Sequence, residues 1–120
     1  MPFNYLLTNL LVDVPAAVGA ILVDGEGEAV EWVTRHDDPF DLKVEGAYHA
    51  IFKRQVEEVI ASLDLGSLDT YVVEGDALVA LTKVLPEGYY VVLVLDRKGS
   101  RAMAMEHLRR TAAVMARELA

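Results

Sequence analysis

A chain of 120 residues, 53% of them hydrophobic and 25% charged, has the composition of one compact domain, 1–120, with a real core. It contains no cysteine, which excludes disulfides, thiolate metal sites and cysteine nucleophiles. The net charge of −8 argues against binding a phosphate backbone, although residues 97–120 alone carry six of the eleven Lys and Arg and two of the nineteen Asp and Glu.

Phe3, Leu6, Leu7, Leu10 and Leu11 recur at three- and four-residue steps, which predicts a short amphipathic helix ending before Pro15. Ala17 to Val23 is apolar on both faces, as in a strand covered on both sides. Asp24-Gly25-Glu26-Gly27 is a turn, and Glu28 to Thr34 is a second strand, nearer an edge because Glu28 and Glu31 keep it wet. After a polar connection, Asp38-Pro39 reads as a helix start, with Asp38 capping and Pro39 in the first turn. A long helix then runs from Val44 to about Leu63, where Leu65-Gly66-Ser67 breaks the pattern. Leu68 to Val73 and Ala77 to Val84 form a hairpin in which Gly75 is expected to take positive φ. Leu85-Pro86-Glu87-Gly88 is a turn with a left-handed glycine, Tyr89 to Leu95 is a second central strand, and the stripe Met105, Leu108, Ala112, Met115, Leu119 marks a closing helix. The order α-β-β-α-β-β-β-α, with hairpins, predicts an α+β fold in which a five-stranded antiparallel sheet has helices on both faces.

The long helix carries two apolar ridges side by side. Val44, Tyr48, Phe52, Val56 and Ile60 form one, and Ala47, Ile51, Gln55, Val59 and Leu63 form the other. Together they cover roughly 220° of the circumference, where a helix on one core needs little more than ~100°. A helix so built suits packing on two things at once: its own sheet and a partner, most simply the same helix of a second copy.

No residue set points to catalysis. His36, His49 and His107 lack partners at metal-ligand spacing, and Asp37, Asp38 and Asp41 lack the closing Glu of a calcium loop. The Asp24–Glu28 turn is acidic where a phosphate would sit, and no serine lies in a G-x-S-x-G elbow. The expectation is a protein that is not an enzyme and has no catalytic, metal or cofactor site. No apolar run approaches ~20 residues and MPFNYLL lacks the marks of a secretory signal, so a cytoplasmic location without membrane insertion is expected.

VGAILVDGEGEAVEWV as first hairpin, a long helix ending in SLDLG, and DTYVVEGDALVALTKVLPEGYYVVLVLD before an amphipathic helix resemble the roadblock/dynein light chain domain family over nearly the whole chain. The resemblance implies a roadblock/profilin-like sheet between one long helix on one face and two terminal helices on the other. It implies homodimers in which the strand after the long helix pairs with its copy and the long helices pack antiparallel. It implies binding of Ras-like small GTPases, with or without stimulated GTP hydrolysis, or a place as a structural subunit of a motor or motility assembly. Carried onto this sequence, the first ridge is assigned to the sheet. Ala47, Ile51, Gln55 and Val59, with Asp69, Thr70, Tyr71, Val72 and Val73, become the homodimer seam, the lone amide of Gln55 fixing register; the alternative is that Gln55 merely faces water. A GTPase-facing surface would use Arg35, Lys53, Arg54 and Glu57, a cation that reaches phosphate being the useful part. The alternative for these arginines is an ordinary surface ion pair.

Overall fold

The computed structural model describes residues 3–35 and 52–119. Helix α1 is Phe3–Asp13, followed by strands β1 (Ala17–Val23) and β2 (Ala29–Thr34). Helix α2 is described over residues 52–62. Strands β3 (Thr70–Glu74) and β4 (Leu78–Val84), a 3₁₀ turn at Pro86–Gly88, strand β5 (Tyr90–Asp96) and helix α3 (Arg101–Leu119) complete it. The strands form one antiparallel sheet in the order β2-β1-β5-β4-β3.

The two strands that are apolar on both faces, β1 and β5, lie side by side within the sheet, and β2 is an edge strand as its glutamates require. Alternation sends Ala20, Leu22, Val79, Leu81, Val91, Leu93 and Leu95 to one face, where Phe3, Leu7, Leu10 and Leu11 of α1 and Ala104, Leu108, Ala112 and Met115 of α3 close the main core. Ile21, Val23, Ala80, Tyr90, Val92 and Val94 line the other face, with Trp32 packed beside them. Residues 52–62 of α2 lie on this second face, where Lys53 stands over the Tyr90 ring. The expected start of the long helix at Asp38-Pro39, the ridge residues Val44, Ala47, Tyr48 and Ile51, and His36 and His49 lie outside the described residues.

Local chemistry sets the ends of the elements. Ser100 caps α3, its Oγ accepting from the Met103 amide at 3.2 Å. Helix α2 closes in a Schellman motif: the Leu65 amide donates to Ile60 O and the Asp64 amide to Ala61 O, with Asp64 left-handed at φ 55°. The helix thus ends where its periodicity stops, and Asp64 rather than Gly66 makes the break. Gly88 takes positive φ as its turn demands, and Glu87 before it does too, at 62°. Gly75 does not. The amide of Gly75 donates to Leu78 O at 2.9 Å, so the β3–β4 turn is built around Asp76-Ala77 and needs no left-handed glycine. Gly99 answers to a close approach instead: a Cβ there would overlap the Ala16 methyl.

Candidate interaction surface

Strand β3 is the outer strand on the side of the sheet away from β2. Its ladder alternates. Val84 donates to Asp69 O and Gly75 to Leu78 O, so within the register Thr70↔Lys83 to Glu74↔Val79 the residues Tyr71 and Val73 bond to β4. The N–H and C=O groups of Thr70, Val72 and Glu74 therefore point outward, along the open edge. Side chains alternate the other way. Val72 faces the α1/α3 layer with its β4 partner Leu81, and Tyr71 and Val73 face the α2 layer opposite Thr82 and Ala80.

Both ends of this strand are tied down by carboxylates. At its start Asp69 takes Lys83 Nζ at 2.7 Å on one oxygen and Arg109 of α3 at 3.1 Å on the other. The Lys83 hydrogen bond, with Arg109 helping and partial burial opposing, holds the Asp69 carboxyl below its ordinary value. At its end Glu74 takes Arg101 at 2.7 Å and Arg97 at 3.6 Å. The strand is thus held in place, and among the described residues no hydrogen bond takes its outward ladder groups. An open edge is a pairing site unless something blunts it.

Beside the edge, α2 is unusually bare. No residue of 52–62 is fully buried. Lys53, Val56 and Ile60 are partly covered and mark the stripe laid on the sheet, whereas Val59 is 53% and Leu63 62% exposed, and Gln55 is exposed as well. Phe52, placed by its spacing on the sheet side, is 42% exposed. A row of four-residue steps rotates by about 40° per step and so leaves a narrow stripe within two turns. Leu65 just past the helix, with Val73 and Leu78 on the α2 side of the hairpin, extends the exposed apolar area. Sequence reasoning took Leu65 only as part of a helix stop; an apolar residue one step beyond a helix end was the available signal.

The four residues expected to face a GTPase are not brought together. The Arg35 guanidinium donates to the carbonyls of Leu11, Val14, Pro15 and Ala17, so it closes the C-terminal end of α1 on the other side of the sheet. Lys53 turns inward: its side chain is 12% exposed, its ammonium meets Glu57 at 3.2 Å, and the Tyr90 ring lies beneath it. Of the four, only Arg54 and Glu57 are exposed on α2. Tyr90 has its hydroxyl pushed far above the ordinary value by burial, with Tyr71 and Asp24 adding to the effect. Burial likewise raises Tyr71, against the Thr82 hydrogen bond and with Glu57 helping. Both phenols lie on the α2 side of the sheet, with Lys53 over the Tyr90 ring.

Among the described residues no cluster of His, Asp or Glu has the arrangement of a metal site, and no helix is long and apolar enough to cross a membrane. The surface offers backbone edge, aliphatic area and a few charges, which is the chemistry of protein association.

No family model matches the chain, and no curated protein matches it. Solved structures do. The chain is similar to a Roadblock/LC7 domain from Streptomyces avermitilis, at 17% identity and TM-score 0.88, over 97% of this chain and 96% of that one. It is similar to MglB in a tetrameric arrangement, at 20% identity and TM-score 0.87, over 96% and 85%. It is similar also to the gliding protein MglB from Thermus thermophilus, at 19% identity and TM-score 0.86, over 96% and 86%. The architecture is that of a roadblock domain.

Proposed function

We propose that the chain is a non-catalytic cytoplasmic binding protein that forms a homodimer and, as a dimer, scaffolds or regulates a Ras-like small GTPase. The observation that carries this reading is the pairing of an open β3 edge with a bare apolar row on the neighbouring helix. In the dimer Thr70, Val72 and Glu74 would exchange ladder bonds with the twin strand. Val59 and Gln55, with Ala47 and Ile51 earlier on the same ridge, would meet their counterparts across the two-fold axis. Asp69, Tyr71 and Val73 would flank that contact. Two strands and two helices joined in this way make one continuous platform, a shape suited to a globular partner. The tetrameric arrangement of the similar MglB supports self-association.

The GTPase part of the reading rests on the roadblock resemblance, and Arg54 and Glu57 are the α2 side chains placed to face such a partner. A domain of this kind can act without donating a side chain, by ordering the GTPase's own switch loops. The test is a pull-down with GTP-loaded and GDP-loaded Ras-like GTPases from the same genome, alongside light scattering of the free protein. Retention that depends on the nucleotide, by a species of twice the chain mass, is the expected result. A monomer at micromolar concentration removes the seam, and indifference to nucleotide removes the GTPase.

A second reading is a structural subunit of a motility assembly, favoured by the similar gliding protein. It predicts a stable partner whose retention ignores the nucleotide.

A further inference from the structure

On the other side of the sheet, α3 does not lie flush along the end of β4. A groove of about 290 Å³ runs there, with Val84, Leu85 and Pro86 on one wall and Ala112, Ala113 and Ala116 on the other. The alanines leave room that larger core residues would fill. The volume lies just under the ~300 Å³ at which small-molecule sites begin, and so suits a side-chain anchor better than a cofactor.

Lys83 and Arg109 also line this groove, and they are the two cations that clasp Asp69. An ammonium and a guanidinium offer more donors than one carboxylate uses. The Asp69 side chain is 57% exposed, so its ion pairs are of the surface kind, each worth no more than ~1 kcal/mol and readily shared. Over residues 109–119, which include the helix wall of the groove, α3 holds three cations, Arg109, Arg110 and Arg117, against one acid, Glu118, with Arg110 paired to Glu106.

We infer that this groove is a second docking surface, which takes an aliphatic side chain of a partner's acidic peptide segment between Leu85 and Ala116 and a carboxylate of that segment against Lys83 and Arg109. The apolar walls supply affinity through buried area, and the cation pair supplies direction by fixing which way the segment lies. The carboxylate joins Asp69 on the same two cations, an arrangement for which Asp69 is the intramolecular precedent. The groove lies on the α1/α3 side and the β3–α2 platform on the other, so one molecule can hold a globular partner and an acidic tail at once.

The test uses a fluorescently labelled hexapeptide, Asp-Glu-Leu-Leu-Asp-Glu, titrated with the full chain at low salt and followed by anisotropy. Two control peptides carry Ser for Leu, or Lys for the acids. The expected result is saturable binding of the first peptide only. The double variant Lys83→Gln with Arg109→Gln should weaken it by about tenfold or more, and Ala113→Phe, which fills the exposed side of the groove and leaves the charges alone, by a similar factor. Lys83→Arg should keep most of the affinity. The seam variant Val59→Glu should bind the peptide as the natural chain does, whatever its oligomeric state, which separates this groove from the dimer reading. No saturable binding, equal affinity for the Ser peptide, or affinity unchanged by Ala113→Phe overturns the proposal.

Discussion

Lys53 Nζ stands 5.7 Å from the centroid of the buried Tyr90 ring and 3.2 Å from Glu57 Oε1. One ammonium therefore joins the helix to itself and to the sheet below. It lies within the ~6 Å at which the ring face attracts a cation, and its cover from solvent puts the interaction toward the upper part of the ~0.5–2 kcal/mol range. Replacing Lys53 by Met keeps the aliphatic stem and removes the charge. The expected cost is about 1 kcal/mol, read as a lower urea midpoint, whereas the exposed neighbour Arg54→Met should cost close to nothing. Equal midpoints for the two variants would show that Lys53 is an ordinary surface lysine.

The Asp69 clasp predicts a particular pH dependence. Its carboxyl is held below the ordinary value of 3.8, chiefly by the Lys83 hydrogen bond and then by Arg109. A folded-state pKa lower than the unfolded one contributes stability above the unfolded value, and this is lost as pH falls through the folded value. Asp69→Asn should therefore cost the same small amount, under about 1 kcal/mol for so exposed a pair, at pH 7 and at pH 5. The gap from the natural chain should narrow only below about pH 4. Urea melts of both proteins between pH 3 and pH 7 would check it; a gap that changes between pH 5 and pH 7 would assign the effect to another group.

Much of this architecture is legible from side-chain pattern alone, because the pattern is local. Residues 17–23 and 90–95 are apolar on both faces and become the neighbouring strands β1 and β5, while Glu31 makes β2 an edge that reaches Asn4 of α1. Gly88 takes the positive φ its turn requires. What pattern does not carry is partnership at a distance. Arg35 reads as a surface cation, facing a GTPase or held in an ordinary ion pair, yet it serves carbonyls at Leu11 to Ala17 because β2 returns beside the end of α1. Lys53 lies outside both apolar ridges and reads as a partner-facing residue, yet its ammonium stands over the Tyr90 ring. Asp69 and Arg109 are forty residues apart and meet through the packing of α3. On the proposed seam, Val59 and Gln55 sit on the exposed side of α2 as the second ridge requires, but exposure is a property of one chain and pairing is a property of two.

Asp64 should be a site of easy stabilisation. It occupies the left-handed residue of the helix-ending motif at φ 55°, where a Cβ crowds the carbonyl oxygen and glycine is the usual occupant. The backbone bonds that define the motif come from amides 64 and 65 and do not need the carboxylate. Asp64→Gly is expected to raise stability by about 0.5–1 kcal/mol, and Asp64→Val to lower it by more than that. Thermal melts of both variants would decide, and a destabilising glycine would mean that the Asp64 carboxylate itself holds the helix end.

The homodimer proposal makes its sharpest statement at Val72. The amide of Val72 points away from β4, whereas those of Tyr71 and Val73 are used in the ladder. Proline lacks that donor and is tolerated in sheets on the outward side of edge strands. Val72→Pro should therefore leave β3 paired to β4 and remove one bond, together with close approach, from any strand added outside. The expected outcome is a folded monomer by light scattering, with a melting temperature at high dilution close to that of the natural chain. Tyr71→Pro, one residue away, should instead break the β3–β4 ladder and unfold the edge by several kcal/mol. Val59→Glu provides the matching test on α2: the residue is 53% exposed, so its charge is harmless in one chain and unpaired in a helix–helix contact. If Val72→Pro and Val59→Glu both remain dimeric while folded, the two copies meet elsewhere, and the open edge beside α2 belongs to a different partner.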